Sequence, residues 1–315
     1  MVYLITGISG FVGAHLVGRL VSQGHAVTGL DAVAPAREVG RDIAFHQLSL
    51  MDRPALQAVL ERVRPERIIH LASASSVGVS WQQPLECFVN NTNIFLNLVD
   101  TVRACQIPCR ILSVGSSEEY GPVAAADMPL REDRPANPIS PYAVARVAQE
   151  QLSRVYSAGY GLDIVCTRSF NHLGPGQTDR FVVSSFVRQA VEVALGKRPA
   201  ITCGNLDIVR DFVDVRDVVR AYEIILDRGV AGEIYNVCSG RGVSLRELLD
   251  RVCGRLGIAS VYNVAPELIR PADNPVIIGD GSRLASLGFR GGYELDRSLE
   301  DMVLWWRDRL AGGAA

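Results

Sequence analysis

The start of the chain holds the feature that most constrains its fold, a glycine-rich connection between two apolar segments. Residues 2–7 (VYLITG) have the length of a strand, and residues 7–24 (GISGFVGAHLVGRLVSQG) run from a glycine turn into an amphipathic helix. Gly7, Gly10 and Gly13 follow at intervals of three. Glycine permits a tight turn and lets a helix pack closely against a sheet. A strand, a glycine turn and a helix in this order predict the first unit of a parallel sheet.

The chain then repeats the same alternation of apolar strands and amphipathic helices. Further strands are predicted at 25–31, 67–73, 110–116 and 163–171. Helices long enough to cross over between parallel strands are predicted at 53–63, 91–105 and 140–159. This order predicts an α/β fold with a Rossmann-type, doubly wound parallel sheet.

After about residue 172 the elements become shorter, which predicts a smaller C-terminal α/β lobe. A segment with glycine and proline (HLGPGQTDRF) opens this part, and a helix within SLEDMVLWWRDRL closes it. We predict that the sheet domain comprises 1–171 plus about 207–238, and that the lobe comprises 172–206 and 239–315.

Composition excludes some classes of partner. The formal net charge of −2 gives no surplus of cations for nucleic acid or an anionic membrane, so neither is expected as a partner. Glycines interrupt every long apolar run, which predicts a cytoplasmic protein without a spanning helix or secretory signal. The seven cysteines include one close pair, Cys105 and Cys109, with no second pair or histidine cluster at metal-ligand spacing. We therefore expect reduced, packing cysteines and no metal site.

The glycine turn also has the chemistry of a phosphate site. Glycine lets the backbone approach a pyrophosphate, and the helix N-terminus offers N–H donors and partial positive charge. Asp31 ends the second predicted strand, where a carboxylate binds the ribose hydroxyls of adenosine and repels a 2′-phosphate. We predict bound NAD(H). NADP(H) remains an alternative for two reasons. Asp31 would not contact the ribose if it is a solvated loop residue, and Arg37 stands near enough in sequence to bind a 2′-phosphate.

A tyrosine and a cation stand four residues apart in SPYAVAR, residues 140–146. On a helix, Tyr142 and Arg146 share one face. A phenol is a poor acid at neutral pH unless a nearby cation stabilises its phenolate. Ser116 follows a predicted strand at the sheet edge where such folds bind ligands, and its hydroxyl can donate to a carbonyl. The alternative is a buried tyrosine, a surface arginine and an ordinary serine turn.

Several motifs resemble those of the extended short-chain dehydrogenase/reductase superfamily over nearly the whole chain. They are TGISGFVG, HLASASSV, SSEEYG, SPYAVAR and RSFNHLGPGQ. Within that superfamily, further segments most resemble the GDP-6-deoxy-4-keto-D-mannose reductases, which are related to the GDP-mannose 4,6-dehydratases. These segments are FNHLGPGQ, GNLDIVRDFVDVRDV, YNVCSG and IRPADNPVIIGD.

The resemblance implies a role for each matching residue. Tyr142 would be the proton donor, Ser116 would hold the carbonyl, and Arg146 occupies the position of a lysine that binds the nicotinamide ribose. Glu118 stands where dehydratases place the carboxylate that removes the C5 proton. The residues expected at the cofactor are Gly7, Gly10, Phe11, Val12, Gly13, Asp31, Ser49, Leu50, Leu71, Ala72, Ser73, Tyr142 and Arg146. Those expected at the nucleotide-sugar, in the lobe and beside it, are Ser76, Ser117, Asn171, Arg210, Arg270 and Asp273.

Two positions depart from the superfamily pattern. Ser49 stands where relatives often carry an aspartate near the adenine. Arg146 replaces the usual lysine and keeps its charge, but its planar fork is longer and does not deprotonate. Stabilisation of a phenolate is therefore retained, while the ribose contact and a proton relay are in question. We expect His172 to be packed or solvated and not catalytic. For Arg210, the alternative to a contact with the nucleotide-sugar is a surface salt bridge with a neighbouring aspartate.

The resemblance implies an NAD(P)H-dependent reductase that converts the C4 ketone of a GDP-4-keto-6-deoxyhexose into a GDP-6-deoxyhexose such as GDP-D-rhamnose. A second hypothesis is a GDP-mannose 4,6-dehydratase or a related 4-epimerase. Glu118 is compatible with a dehydratase but does not distinguish it from a reductase, because some reductases also have an acidic residue at this position. A third is a catalytically idle binder of nucleotide-sugars, made so by Arg146. The superfamily usually dimerises through two helices, so 84–105 and 140–159 are expected to form a four-helix bundle in a homodimer.

Overall fold

The computed structural model describes residues 1–35, 43–269 and 274–311, and Arg37, Arg270 and Asp273 lie outside these ranges. The strands are β1 (Val2–Thr6), β2 (Ala26–Asp31), β3 (Ala44–Gln47), β4 (Arg67–His70), β5 (Arg110–Ser116), β6 (Asp163–Ser169), β7 (Asn171–Leu173), β8 (Ile201–Cys203), β9 (Val209–Asp214), β10 (Ile234–Val237), β11 (Gly242–Ser244), β12 (Tyr262–Val264) and β13 (Val276–Ile277). The helices are α1 (Phe11–Ser22), α2 (Arg53–Val63), α3 (Val77–Gln82), α4 (Pro84–Ala104), α5 (Pro141–Tyr160), α6 (Val182–Ala194), α7 (Val215–Arg228), α8 (Leu245–Leu256), α9 (Ser282–Ser286) and α10 (Leu295–Ala311).

A seven-stranded parallel sheet is the largest part of the fold, with the order β3, β2, β1, β4, β5, β6, β10. Both faces of this sheet are buried. In β1, Leu4 faces the core that α2, α4 and α5 cover, whereas Ile5 faces the core that α1 and α7 cover. Strands buried on both faces must be apolar at successive positions, which explains the run VYLI. The predicted Rossmann-type, doubly wound fold is confirmed.

The direction of the strand order reverses between β1 and β4. From β1 the chain continues to β2 and β3 and then returns to β4 on the other side of β1. The connections after β1 and β4 therefore diverge at the carboxyl edge and leave a crevice, which is where open α/β sheets bind ligands. The glycine turn and Ser116 both follow strands at this edge.

A second hydrophobic core lies in the C-terminal part of the chain. It packs α6, α8 and α10 against β8 and β9, with Phe186, Leu248 and Met302 buried at its centre. β9 pairs with β7, β11 and β13 in a small sheet, and β8 pairs with β12. This core agrees with the smaller lobe expected from the sequence, while the residue boundaries given above stay a prediction.

β9 of the small sheet continues directly into α7, which covers the large sheet. Asp214 is both the last residue of the strand and the N-cap of the helix, where its Oδ1 accepts from the backbone N–H of Arg216 at 2.8 Å. Asp214 also accepts from the hydroxyl of Ser298 in α10, and Arg216 donates to Asp301 of the same helix at 2.7 Å. One aspartate thus joins elements of both cores.

Three elements have bounds that differ by several residues from the sequence-based expectation. The strand expected at 67–73 ends at His70, and the strand expected at 163–171 is divided, because the chain leaves the large sheet at Phe170 and pairs next with β9. The helix expected at 91–105 begins at Pro84, where the longer helix expected for the dimer begins; proline suits a first helical turn because an N–H there has no acceptor in the helix. Strands β3 and β10 of the large sheet lie outside the strands predicted above.

The seven cysteines are all free, and five of them are buried. Within the described ranges, no helix is long and apolar enough to cross a bilayer. In the same part of the chain, no group of three His, Cys, Asp or Glu side chains is arranged to hold a metal ion.

Candidate active site

The turn after β1 has no room for a side chain at two of its glycines. Gly7 has a φ of +72°, and a Cβ there would lie 2.5 Å from the backbone N of Ala72. At Gly13, a Cβ would lie 2.2 Å from the carbonyl oxygen of Ile8. The turn therefore packs directly on the segment after β4, and α1 packs on the turn, more closely than other residue types permit.

Helix α1 begins without a side-chain cap, because its N-cap is Gly10. The backbone N–H groups of Phe11, Val12 and Gly13 precede the first intrahelical bond, from the N–H of Ala14 to the oxygen of Gly10. Such a helix end binds anions. Among the predicted cofactor residues, Ser73 has a buried hydroxyl with no hydrogen-bond partner in the described chain. These donors fit the phosphates and hydroxyls of a dinucleotide.

Asp31 ends β2 and supports the glycine turn from the side. Its Oδ2 accepts from the N–H of Ser9 at 3.0 Å, and its Oδ1 accepts from the N–H of Val33 at 3.2 Å. The carboxylate is half-buried at the edge of the crevice, where the expected ribose contact would be made. Ser49 is exposed after β3, and Leu50 is buried beside it.

Tyr142 and Arg146 lie on the buried side of α5. Ser140 caps this helix by accepting from the N–H of Ala143 at 3.1 Å, so the helix begins directly before the pair. The exposed fractions of Tyr142 and Arg146 are 6% and 4%. Nε of Arg146 donates to Oη of Tyr142 at 3.2 Å, and its Nη1 donates to the carbonyl oxygen of Val114 at 2.9 Å. The structure brings the predicted pair together, and the alternative of a surface arginine does not hold.

The charge on Arg146 has no carboxylate partner in the described part of the chain. The nearby His70 is also fully buried, and burial, followed by Arg146, lowers the pKa of its imidazole to about 3. Nδ1 of His70 bonds Oγ1 of Thr6 at 2.8 Å. Holding a buried cation without a counter-ion is costly, and such arrangements cluster at functional sites. Of the three oxygens that accept hydrogen bonds from Arg146, only Oη of Tyr142 can lose a proton and so balance this charge.

Ser116 is the last residue of β5 and the N-cap of a short 3-10 turn, Ser117–Tyr120. Its Oγ accepts from the N–H of Glu118 at 3.2 Å, which leaves the hydroxyl proton able to donate. Its own N–H donates to Oε1 of Glu119 at 2.6 Å. Glu118 is half-buried beside it. The predicted carbonyl anchor therefore stands in a turn that backbone and side-chain bonds both fix.

Below this turn lies a buried charged cluster that the sequence analysis did not find. Arg168 of β6 is 2% exposed and donates to both oxygens of Glu150, at 2.9 and 3.1 Å. Its Nε lies 3.8 Å from Oε2 of Glu119, and its guanidinium carbon lies 4.6 Å from the ring centroid of Tyr120. Burial, followed by Glu150, raises the pKa of Glu119 to about 8. Through Glu119, the cluster holds the backbone of Ser116 from below.

Two predicted substrate residues lie on neighbouring strands beyond this edge. Ser116 pairs with Ser169, and Asn171 follows two residues later as the first residue of β7. Asn171 is exposed, and its Nδ2 donates to the carbonyl oxygen of Asp211 at 3.4 Å. Arg210 of β9 is half-buried and donates from Nη1 to the carbonyl oxygen of Asn274 at 2.7 Å. Since β7 pairs with β9 and Asn171 lies opposite Phe212, Asn171 and Arg210 lie on neighbouring strands two positions apart in register.

The remaining predicted residues follow β4 and β5 at the same edge. Leu71 and Ala72 directly follow β4. Ser76 caps α3 by accepting from the N–H of Val79 at 3.3 Å, and Ser117 is buried in the turn after β5.

Burial lowers the pKa of His172, in β7, to about 4, which agrees with a packed, neutral histidine.

The sequence model of the GDP-mannose 4,6 dehydratase family matches residues 4–302. The chain belongs to this family. It is 31% identical to the GDP-6-deoxy-D-mannose reductase of Pseudomonas aeruginosa over 97% of both chains. It is 29% identical to the GDP-mannose 4,6-dehydratase sdnI of Sordaria araneosa, over 95% of this chain and 60% of that protein.

Solved structures agree with this assignment. RMD from Pseudomonas aeruginosa, complexed with NADPH, superposes with a TM-score of 0.88 at 30% identity, covering 98% of this chain and 99% of that one. The UDP-glucose 4-epimerase of Thermus thermophilus, in complex with NAD, superposes with a TM-score of 0.90 at 30% identity, with both chains fully covered. The predicted resemblance and the predicted class of enzyme are confirmed, while the roles of individual site residues stay predictions.

Proposed function

We propose that the protein is a reductase that converts the C4 ketone of a GDP-4-keto-6-deoxyhexose into a GDP-6-deoxyhexose of the GDP-D-rhamnose type. The observation that carries this proposal is the buried contact between Arg146 and Tyr142, beside the strand that ends at Ser116. Similarity to the Pseudomonas aeruginosa reductase over nearly the whole chain supports the substrate class.

The side chains of the crevice have separate tasks in this reaction. The glycine turn and the N-terminus of α1 would hold a reduced pyridine nucleotide, NADH or NADPH, which would supply the hydride for C4. The hydroxyl of Ser116 donates a hydrogen bond to the ketone oxygen and so orients the carbonyl. Tyr142 transfers its phenolic proton to that oxygen as negative charge develops there. Arg146 stabilises the resulting phenolate through Nε and remains charged throughout, so the proton returns to Tyr142 from water.

The proposed cofactor preference is for NAD(H), with NADP(H) as the alternative. The Asp31 carboxylate accepts two backbone N–H groups and lies at the edge of the glycine turn, where it favours ribose hydroxyls over a 2′-phosphate. The related RMD was solved with NADPH and the related epimerase with NAD. A comparison of kcat/KM for the two reduced nucleotides tests the preference. A higher value for NADPH contradicts it.

We assign the nucleotide-sugar to the region beside β7 and β9. Asn171 and Arg210 lie on these two strands and offer an amide and a guanidinium for the sugar and the diphosphate. Ser76 and Ser117 follow β4 and β5 at the same edge. From the resemblance we propose that Arg270 binds the diphosphate and Asp273 the nucleoside ribose; both lie outside the described residues.

The deciding experiment supplies the purified protein with GDP-4-keto-6-deoxymannose and NADH or NADPH. We expect loss of absorbance at the reduced-nicotinamide band, together with a GDP-6-deoxyhexose product identified by mass spectrometry and NMR. Tyr142→Phe is expected to remove turnover while the protein still binds both ligands. Ligand binding without turnover by the wild-type protein would instead indicate an idle binder.

A 4,6-dehydratase is the second candidate, because Glu118 is half-buried and adjacent to the turn that holds Ser116. A carboxylate at this place is suited to removing a proton from C5 of a GDP-hexose. Such an enzyme consumes GDP-mannose without added reduced nucleotide, since its cofactor is regenerated in each cycle. Incubation with GDP-mannose alone therefore separates the two candidates. Loss of that activity in Glu118→Gln would assign the carboxylate.

We also propose that the chain forms a homodimer and works in the cytoplasm. Apolar side chains are exposed on two adjacent helices, among them Leu85 of α4 and Val155 of α5, with exposed fractions of 74% and 58%. A four-helix bundle made from two copies of α4 and α5 would cover them. Sedimentation of the wild type and of Leu85→Glu/Val155→Glu tests this assembly. The seven free cysteines are consistent with a reducing compartment.

A further inference from the structure

A closed ring of hydrogen bonds holds the guanidinium of Arg146. Gln149 lies one helical turn further along α5 and is 1% exposed. Its Oε1 accepts from Nη1 of Arg146 at 2.8 Å, and its Nε2 donates to the carbonyl oxygen of Val114 at 3.0 Å. Nη1 of Arg146 donates to the same carbonyl at 2.9 Å, which closes the ring. Nε2 of Gln149 also donates to Oγ of Ser113 at 2.9 Å.

The end of β4 explains why β5 offers an acceptor here. The pairing between β4 and β5 ends with His70 opposite Ser113. Val114 is the next residue of β5, so its carbonyl oxygen has no partner in β4 and can accept from side chains. The carbonyl oxygen of Val114 has two lone pairs, which Arg146 and Gln149 occupy. A glutamine both accepts from the guanidinium and donates to the strand. A glutamate offers only the acceptor, and a methionine offers neither bond.

We propose that Gln149 is a positioning residue that fixes the rotation of the Arg146 guanidinium, so that Nε is the atom that meets Oη of Tyr142. A guanidinium has five N–H groups. Nη1 donates two of them to Val114 and Gln149, and Nε donates one to Tyr142, which leaves two on Nη2. An ammonium is a compact charge with rotating donors and does not depend on such an orientation. The need for Gln149 therefore arises from the arginine.

Tyr142 is the group whose ionisation reports this arrangement. Within the described residues, the charge of Arg146 also acts on His70 from β4, Cys87 from α4 and Tyr222 from α7, lowering the pKa of each. Burial raises the pKa of Cys87 and of Tyr222 above their ordinary values, and it lowers the pKa of His70 to about 3. These shifts leave all three side chains uncharged at neutral pH.

The test measures tyrosine ionisation and needs no sugar substrate. Ultraviolet absorbance is titrated with pH for each protein and for the same protein carrying Tyr142→Phe, and the difference isolates Tyr142. Gln149→Met removes the three side-chain hydrogen bonds of Gln149 at nearly constant volume. We expect it to raise the midpoint of Tyr142 ionisation by about one pH unit relative to wild type. If that variant does not fold, as judged by circular dichroism, Gln149→Glu is measured, for which a larger rise is expected.

The chain offers a matched control in a second buried glutamine. Gln189 of α6 accepts from Nη1 of Arg198 at 2.5 Å and from the N–H of Thr202 at 2.8 Å. Gln189→Met therefore removes comparable bonds in the other core and is expected to leave the midpoint unchanged. In an Arg146→Lys background, Gln149→Met is expected to add no further shift, because lysine does not depend on the glutamine.

The kinetic consequence rests on the proposed reductase function. Gln149→Met is expected to lower kcat about tenfold with KM unchanged, since the phenol is affected only in the reacting state. An unchanged midpoint in a folded Gln149 variant overturns the proposal, and so does an equal shift in Gln189→Met. A shifted midpoint in a protein that reduces no sugar ketone supports the role of Gln149 and refutes the proposed function.

Discussion

Replacement of Glu119 by glutamine is expected to stabilise the protein above neutral pH. Oε1 of Glu119 accepts from the N–H of Ser116, whereas its Oε2 is buried without a hydrogen-bond partner in the described chain. Burial, followed by the charge of Glu150, raises the pKa of this carboxyl to about 8, so that it holds its proton at neutral pH. A glutamine amide has nearly the same shape, accepts from Ser116 through its oxygen and carries no charge. Glu119→Gln therefore imitates the protonated carboxyl.

The direction of the effect follows from proton binding. The pKa of Glu119 is raised from an ordinary value of 4.5 to about 8, by burial and by Glu150. Below the lower value both states hold the proton. Above it the unfolded chain releases its proton first, so the stability of the wild type falls until the pH passes the folded value. Each pH unit in this window is worth about 1.4 kcal/mol.

The expected magnitude is smaller than the full window implies, because a buried site relaxes around a charge. We expect Glu119→Gln to match the wild type near pH 5 and to exceed its free energy of unfolding by about 2 kcal/mol at pH 8. Urea unfolding at several pH values measures both quantities by linear extrapolation.

Glu267 provides the control, because it is an exposed glutamate outside both cores. Glu267→Gln is expected to follow the wild type at every pH. If Glu119→Gln is destabilised by the same amount at pH 5 and pH 8, the reasoning is refuted. Glu119 would then be ionised in the fold, and its ion pair with Arg168 would matter more than its proton.

Three further outcomes are expected. Gly13→Ala should weaken the binding of reduced nucleotide at least tenfold, because its Cβ would meet a carbonyl oxygen at 2.2 Å; nucleotide fluorescence measures this, and unchanged affinity would disprove it. Tyr142→Phe should lower kcat about a hundredfold or more in stopped-flow reduction, with equal nucleotide-sugar affinity by calorimetry; a smaller loss would argue against the proton donor. Asp211→Ala should lower the free energy of unfolding by about 3 kcal/mol, because buried Asp211 accepts from Ser239, Gly240 and Gly279; a loss below about 1 kcal/mol in urea would contradict this.

The large sheet was predictable because its signals are local. The glycine turn is recognised from residues 7, 10 and 13 and from the apolar run directly before them. The helices are recognised because apolar residues recur at the spacing that places them on one helical face. Strand β3 and the division at Phe170 were not predicted. A strand of four residues has little pattern of its own. The chain pairs with β5 and β10 before Phe170 and with β9 after it, and this change of neighbours depends on contacts distant in sequence.

In the candidate site, too, the local features were predicted and the contacts between distant parts of the chain were not. Tyr142 and Arg146 were predicted to meet because helical spacing alone brings them to one face. The bonds of Gln149 to β5 and the cluster of Glu119, Glu150 and Arg168 depend on how α5 packs on β5 and β6. One local signal was present, since Arg168 places a cation inside the predicted strand DIVCTRS. A charge at an inward position of a buried strand indicates a paired, buried group.

The direct passage from β9 to α7 limits how this protein can be recombined with its relatives. No loop separates the strand from the helix, and Asp214 bonds the helix start while also accepting from Ser298 of α10. A chimera that joins a foreign C-terminal part at this point would separate Asp214 and Arg216 from the partners they require in α10. We expect viable crossovers to transfer these residues with Ser298 and Asp301 as one inherited set.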